Sequence, residues 1–120
     1  MKKLLAIDDS PNMLFYLTKM LDNHFEVTPA CDGKEGLQLA QKKQFDAFIC
    51  DINMPNMNGY DFIRHIRKIK HYETTPFIFL TSEKNTENIE IGKSLGATGW
   101  IIKPIKPEKL LCLILKIFDS

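Results

Sequence analysis

The chain is predicted to fold as an α/β protein in which helices cover both faces of a parallel sheet. Four short apolar runs, each followed at once by a polar residue, are typical of buried parallel strands: 4–7, 47–50, 77–80 and 100–102. Segments with helical spacing of apolar residues separate these runs, so strands and helices alternate. With one weaker strand added, the pattern predicts a (βα)5 arrangement, a doubly wound parallel sheet of five strands with right-handed crossovers.

The first part of the chain contains two strand–helix units. After the first strand, Ser10 is a suitable helix N-cap and Pro11 a suitable first helical residue. The inner stripe of that helix follows at helical spacing: Leu14, Leu17 and Leu21. A weaker strand is predicted over 25–30, a turn at Asp32-Gly33 and a second helix that ends near residue 43.

The remaining elements follow the same alternation. A loop over 52–58 precedes a helix that Gly59 opens, with Phe62, Ile63, Ile66 and Ile69 on its inner face. The fourth helix is predicted over 85–95, with Gly96 as its stop. The last helix begins near Pro107 and should turn Leu110, Leu111, Ile114 and Leu115 inward. We expect one domain over residues 1–120, without a separate output domain.

Composition narrows the class of protein. Of 120 residues, 44% are hydrophobic and 26% charged, as in an ordinary globular domain. Sixteen basic and fifteen acidic residues leave a formal charge of +1, which gives no overall attraction to nucleic acid or membrane. No apolar run approaches the roughly 18 residues of a membrane span. We expect a cytoplasmic protein, with Cys31, Cys50 and Cys112 as small buried thiols.

Polar side chains follow the strands at the point where each strand ends: Asp8-Asp9, Asp51, Thr81 and Lys103. Parallel strands bring their carboxyl ends to one edge of a sheet, so these side chains should converge. Three neighbouring carboxylates repel unless a cation neutralises them, and Mg²⁺ or Mn²⁺ accepts such oxygen ligands. Asp8-Asp9 alone fits a solvated turn equally well, but Asp51 at a neighbouring strand end favours a metal site.

The same edge suits phosphoryl chemistry. A carboxylate such as Asp51 can form an acyl phosphate, and a lysine can pair with a phosphoryl oxygen. Lys103 would supply that charge, and the hydroxyl of Thr81 a hydrogen bond. Taken singly, Lys103 fits an ordinary surface lysine and Thr81 an ordinary strand-end threonine. Because both residues are predicted to line the same crevice as Asp51, a role in phosphoryl chemistry is favoured.

Residues 51–59, Asp-Ile-Asn-Met-Pro-Asn-Met-Asn-Gly, resemble the phosphoacceptor signature of response-regulator receiver domains. Asp8-Asp9, Thr81 and Lys103-Pro104 match the other fixed positions of that family in order. The resemblance covers the whole chain. It implies the flavodoxin-like strand order 2-1-3-4-5 and a cis peptide bond at Lys103-Pro104.

The resemblance also implies roles for the site residues. Asp51 would receive a phosphoryl group from a phosphohistidine of a sensor histidine kinase, and Lys103 would bridge Asp51 and that group. Mg²⁺ would be held by Asp8, Asp9, Asp51 and the backbone carbonyl of Asn53. The chain would then be no enzyme beyond self-phosphorylation and autodephosphorylation.

A switch is implied by the same family pattern. Phosphorylation would draw Thr81 toward the phosphoryl group, and Trp100 would swing inward, although Trp100 also fits a static core aromatic. Asn53 and Glu83 would border the path of the hydrolytic water, so we expect a short-lived phosphorylated state. The output face would be formed by the fourth helix, fifth strand and fifth helix. The lysines Lys93, Lys103, Lys106 and Lys109 would make this face basic and suit an acidic partner, or they are ordinary solvated lysines.

Residues 96–104 are similar to the corresponding segment of many stand-alone chemotaxis receivers of the CheY type. The favoured function is a monomeric messenger between a CheA-like kinase and the flagellar motor switch, with a phosphatase as a further partner. A phosphorelay intermediate, a phosphate sink and a fragment of a larger regulator remain as alternatives. An aspartate-nucleophile phosphatase is disfavoured, because Asn53 stands where its second acid is needed.

Overall fold

The computed structural model describes residues 1–82 and 86–119, with the backbone alone for residues 86–88. In this part of the chain five strands form one parallel sheet in the order β2-β1-β3-β4-β5, which confirms the predicted doubly wound class and strand order. The strands are β1 (Lys3–Ile7), β2 (Glu26–Ala30), β3 (Ala47–Asp51), β4 (Phe77–Thr81) and β5 (Gly99–Ile102). The helices are α1 (Pro11–Leu21), α2 (Gly33–Lys42), α3 (Gly59–Arg67), α4 (Thr86–Ser94) and α5 (Pro107–Phe118).

The sheet separates two hydrophobic layers, because successive strand residues point to opposite faces. On one face, Ile49 and Leu80 pack with buried residues of α1 and α5. On the other, Phe48 and Phe79 pack with residues of α2 and α3. The central strands β3 and β4 are buried along their whole length, so their polar carboxyl ends are held in fixed positions at one edge.

Side-chain caps set where α1 and α2 begin. The hydroxyl of Ser10 accepts a hydrogen bond from the backbone N–H of Met13 at 3.2 Å, which confirms the predicted cap of α1. Asp32 likewise accepts from the N–H of Glu35 at 2.8 Å. Asp32-Gly33 therefore starts α2 directly, where a simple turn was predicted.

Some predictions about helix faces are wrong. α3 ends at Arg67, so Ile69 lies beyond it and precedes a short 3₁₀ helix, Lys70–Tyr72. Leu115 is 43% exposed rather than inward. Of the cysteines only Cys50 is buried, while Cys31 and Cys112 are exposed. α5 is apolar on nearly all sides, so its inner face is set by Leu110 and Ile114, one helical turn apart.

Two turns have the expected backbone, one after α4 and one after β5. Gly96 ends α4 with a φ of +95°, the left-handed conformation that glycine adopts readily. The Lys103-Pro104 bond is cis. None of the helices in the described ranges combines the length and the apolar character that crossing a membrane requires.

Candidate functional site

Three carboxylates meet beyond the carboxyl ends of β1 and β3. The two strands are paired, with Ile7 opposite Cys50, so the residues that follow come out side by side. One oxygen each from Asp8, Asp9 and Asp51 lies within 4.8 Å of the others. The convergence expected from strand ends is therefore present in the structure.

Lys103 joins this cluster from the end of the edge strand β5. Its Nζ lies 3.5 Å from Oδ2 of Asp8 and 3.5 Å from Oδ2 of Asp51. The backbone N–H of Lys103 donates to the carbonyl of Thr81 at 2.8 Å, which ties it to the end of β4. One ammonium thus bridges two of the three carboxylates.

Burial governs the electrostatics of the cluster. Asp8 is fully buried and Asp51 is 5% exposed, whereas Asp9 is exposed. Loss of water raises the pKa of both Asp8 and Asp51. The charge of Asp8 raises the pKa of Asp51 further, while Lys103 lowers it. Two carboxylates are therefore held together against desolvation and repulsion, with one lysine as partial compensation.

The donor set fits a hard divalent cation. Oδ1 of Asp8 accepts a hydrogen bond from the N–H of Ser10 at 2.9 Å. Oδ2 of Asp8 is buried, yet no described residue gives it a hydrogen bond. The Lys103 ammonium at 3.5 Å is an ion-pair partner at most. An oxygen left in this state beside two further carboxylates suits Mg²⁺ or Mn²⁺.

The other predicted residues surround this centre. Thr81 is fully buried at the end of β4, next to the end of β3. Asn53 is exposed in the loop after β3, and its backbone N–H hydrogen-bonds Asp51. Trp100 on β5 packs edge-on against Phe79, with ring centroids 5.4 Å apart. The remaining candidate, Glu83, lies outside the described residues.

Gly59 is a supporting residue that was predicted only as a helix start. A Cβ on Gly59 would lie 2.7 Å from the carbonyl oxygen of Asp51 and 2.9 Å from Cα of Ile52. α3 can therefore approach the back of Asp51 only because this residue has no side chain. The sequence signal that could have predicted this close approach is the glycine at the end of the 51–59 segment.

Fold and site together define a doubly wound α/β protein with an acidic centre beyond β1 and β3. Residues 4–115 match the response regulator receiver domain, and the chain belongs to that family. Such domains are phosphoacceptors that take phosphate from histidine kinases and act on downstream targets.

Individual relatives support the assignment. The structure of the chemotaxis protein CheY4 of Vibrio cholerae is 42% identical, with a TM-score of 0.94 over 98% of both chains. Protein PilH of Pseudomonas aeruginosa is 34% identical over 92% of this chain and 93% of its own. The chain spans only 23% of a probable cyclic di-GMP phosphodiesterase of Vibrio cholerae, at 34% identity over 85% of this chain, and about half of several other relatives.

Proposed function

We propose that residues 1–120 act as one receiver domain that accepts a phosphoryl group on Asp51 from a phosphohistidine of a sensor histidine kinase. The observation that carries the proposal is the joint position of Asp51, Asp8 and Lys103. Asp51 is at once a buried carboxylate, a member of the acidic cluster and an ion-pair partner of Lys103.

The chemical step follows from these positions. An oxygen of the Asp51 carboxylate attacks phosphorus, a P–O bond forms, the P–N bond to the imidazole breaks, and the imidazole leaves with the bonding electrons. Lys103 pairs with the charge on the transferring group, and the hydroxyl of Thr81 donates to another phosphoryl oxygen. Phosphoryl transfer depends mainly on such positioning and charge stabilisation.

Mg²⁺ would be held by Asp8, Asp9, Asp51 and the carbonyl of Asn53. When bound, the ion neutralises the carboxylates and the phosphoryl oxygens. Without it, Lys103 is the cation at ion-pair distance from Asp8 and Asp51 among the described residues. We therefore expect phosphorylation to require a divalent cation.

The test is labelling by a phosphorylated histidine kinase, read as the gain of one phosphoryl group by intact mass spectrometry. Wild type should be labelled and Asp51→Asn should not. Asp22→Asn is the matched control, since Asp22 is exposed at the far end of α1. Labelling of Asp51→Asn at the wild-type rate would refute the phosphoacceptor assignment.

We further propose that phosphorylation is read on the face formed by α4, β5 and α5. Trp100 and Thr81 project from neighbouring strands toward the same layer, so movement of one can reach the other. A groove of about 420 Å³ lies on this face and combines an apolar floor with two lysines. Its lining residues are Ile89, Trp100, Ile101, Ile102, Pro104, Lys106 and Lys109. An acidic, partly apolar segment of a partner protein fits such a groove.

A chemotaxis circuit, with a CheA-like kinase upstream and the flagellar motor switch downstream, is the favoured biological setting. Its support is the similarity to chemotaxis protein CheY4 along 98% of both chains. The competing setting is a relay or phosphate sink outside chemotaxis. A panel of the host's histidine kinases decides between them: rapid transfer from the chemotaxis kinase alone supports the first, and preference for another kinase supports the second.

The lifetime of the phosphorylated state should be short. Asn53 is polar and exposed beside Asp51, so the approach of water is open on that side. Asn53→Leu should slow loss of the phosphoryl group several-fold, measured after removal of the donor. An unchanged rate would mean that Asn53 does not limit the approach of water, and would leave Glu83 as the other residue expected from the family resemblance to border its path.

A further inference from the structure

Gly92 forms a notch in α4 in which the indole ring of Trp100 lies. A Cβ built on Gly92 would overlap Cζ3 of Trp100 and approach Cε3 and Cη2 of that ring at 3.2 Å. Gly92 is buried in the last turn of α4, and glycine is among the residues that favour a helix least. Its φ lies outside the left-handed range, so the backbone does not demand glycine. The requirement for glycine comes from the space that the ring occupies.

The ring in this notch is favoured by some contacts and disfavoured by others. It gains packing against Phe79 and the hydrophobic layer under α2 and α3. Its Nε1–H, however, is buried and has no acceptor among the described residues. An unpaired buried donor opposes the inward position, and outward rotation would return it to water. Packing therefore stabilises the observed ring position, and the unpaired donor destabilises it.

Trp100 also separates two surface hollows. It lines the groove of about 420 Å³ described above and a second one of about 390 Å³ between the end of α4 and β5. The second hollow is lined by Lys93, Ala97, Thr98, Gly99 and Trp100. Any rotation of the ring therefore changes the floor of the face on which a partner would bind.

We propose that Gly92 is the positioning residue of the switch: its missing side chain determines how far Trp100 turns inward. The inference rests on the proposed switch role of Trp100. A methyl group at this position displaces the ring outward and, by linkage, weakens binding of whatever favours the inward state.

The first test is the exposure of the indole without any phosphoryl group. The chain has one tryptophan, so intrinsic fluorescence reports on Trp100 alone. Gly92→Ala should at least double the acrylamide quenching constant and shift the emission to longer wavelength. Ser94→Ala is the matched control, because it also replaces a weaker helix former on α4 but lies on the exposed side. Equal quenching in wild type and Gly92→Ala would overturn the proposal.

The second test separates a positioning role from a merely structural one. Affinity for beryllofluoride with Mg²⁺, measured by calorimetry, should fall about fivefold or more in Gly92→Ala. In a Trp100→Phe background the same substitution should change the affinity less than twofold, since the smaller ring leaves room for the methyl group. An equal loss in both backgrounds would show that Gly92 does not act through the ring. If Gly92→Ala alone does not fold, the double variant Gly92→Ala/Trp100→Phe is compared with Trp100→Phe. Failure of the double variant to fold as well would show that the methyl group does not act through the indole ring.

Failure of the proposed function gives a different pattern. If wild type does not bind beryllofluoride, or Asp51→Asn binds it equally well, the phosphoacceptor assignment fails. The quenching comparison uses no phosphoryl analogue, so it still decides whether Gly92 sets the position of Trp100.

Discussion

The folded chain holds the carboxyl groups of Asp8 and Asp51 buried and close together, an arrangement that is unfavourable when both are charged. Burial raises the pKa of both groups, and Lys103 compensates only in part. We therefore predict that Asp51→Asn, which removes one charge and keeps the shape, stabilises the metal-free protein. The melting temperature should rise by about 4 °C or more, the shift that ~1 kcal/mol produces in a domain of this size.

The comparison is made by thermal unfolding in the presence of a chelator. Asp22→Asn should leave the melting temperature within about 1 °C, because exposed substitutions without buried partners change stability little. A lower melting temperature for Asp51→Asn would mean that the ion pair with Lys103 outweighs desolvation.

The same carboxylates predict the sign of a pH effect. A folded-state pKa above the unfolded value means that the native chain binds the proton more tightly. This contribution to stability is present in full below the unfolded pKa, near 3.8 for aspartate, and is lost as pH rises through the raised value. The advantage of Asp51→Asn over wild type should therefore shrink as pH falls from 7 toward 4, measured by denaturant titration at each pH. An advantage that grows on acidification would contradict the sign of the shift.

At the scale of elements, one side chain joins three backbone segments. The guanidinium of Arg67, at the end of α3, donates to the carbonyls of Tyr72 and Thr75 at 2.7 Å and of Gly96 at 2.6 Å. Arg67→Ala would leave the partly buried carbonyls of Tyr72 and Thr75 unpaired and would remove the donor to the exposed carbonyl of Gly96. We therefore predict a loss of about 2–3 kcal/mol in the free energy of unfolding.

Arg64 on the same helix provides the matched control. Arg64 is exposed, and among the described residues it pairs only with Asp61, at 3.0 Å. Arg64→Ala should therefore cost about 0.5 kcal/mol or less. Arg67→Lys should recover only part of the loss, because an ammonium cannot reproduce the planar fork. Equal effects of Arg64→Ala and Arg67→Ala in denaturant titrations would show that the carbonyl contacts contribute little.

The elements also show which features a sequence can predict. Strands β1, β3 and β4 are predictable because each is a continuous apolar run in the sequence. The start of α1 is predictable because its cap, Ser10-Pro11, is a local sequence signal. The three hydrogen bonds of Arg67 were not predictable, because their acceptors are backbone carbonyls, which any residue type provides. The exposed Cys112 was not predictable either, since apolar neighbours on nearly all sides of α5 hide which face is inner.

The candidate site divides in the same way. The sequence was enough to predict that four side chains converge, because parallel strands end at a common edge of the sheet. These side chains are Asp8, Asp9, Asp51 and Lys103. The notch at Gly92 could not be predicted, since it depends on how closely α4 packs against the ring of Trp100, which lies on β5 eight positions further along the chain.

At the scale of the whole molecule, metal binding should appear as global stability. A ligand bound only by the native state stabilises it by about 2.7 kcal/mol at a hundred times its Kd. We predict that Mg²⁺ raises the melting temperature of wild type and that Asp9→Asn abolishes this rise. Since Asp9 is exposed, Asp9→Asn should leave the metal-free melting temperature almost unchanged. A full Mg²⁺ response in Asp9→Asn would remove Asp9 from the ligand set.

The bond from Arg67 to the carbonyl of Gly96 has a consequence for motion. It anchors the carboxyl end of α4 to α3, whereas the amino end of α4 comes after β4 in the chain and has no such anchor among the described residues. A displacement of α4 that starts at its amino end would therefore be a tilt about a fixed pivot at Gly96, not a slide of the whole helix. Its amplitude would grow with distance from that pivot, so residues of the first turn would travel furthest and those near Lys93 least.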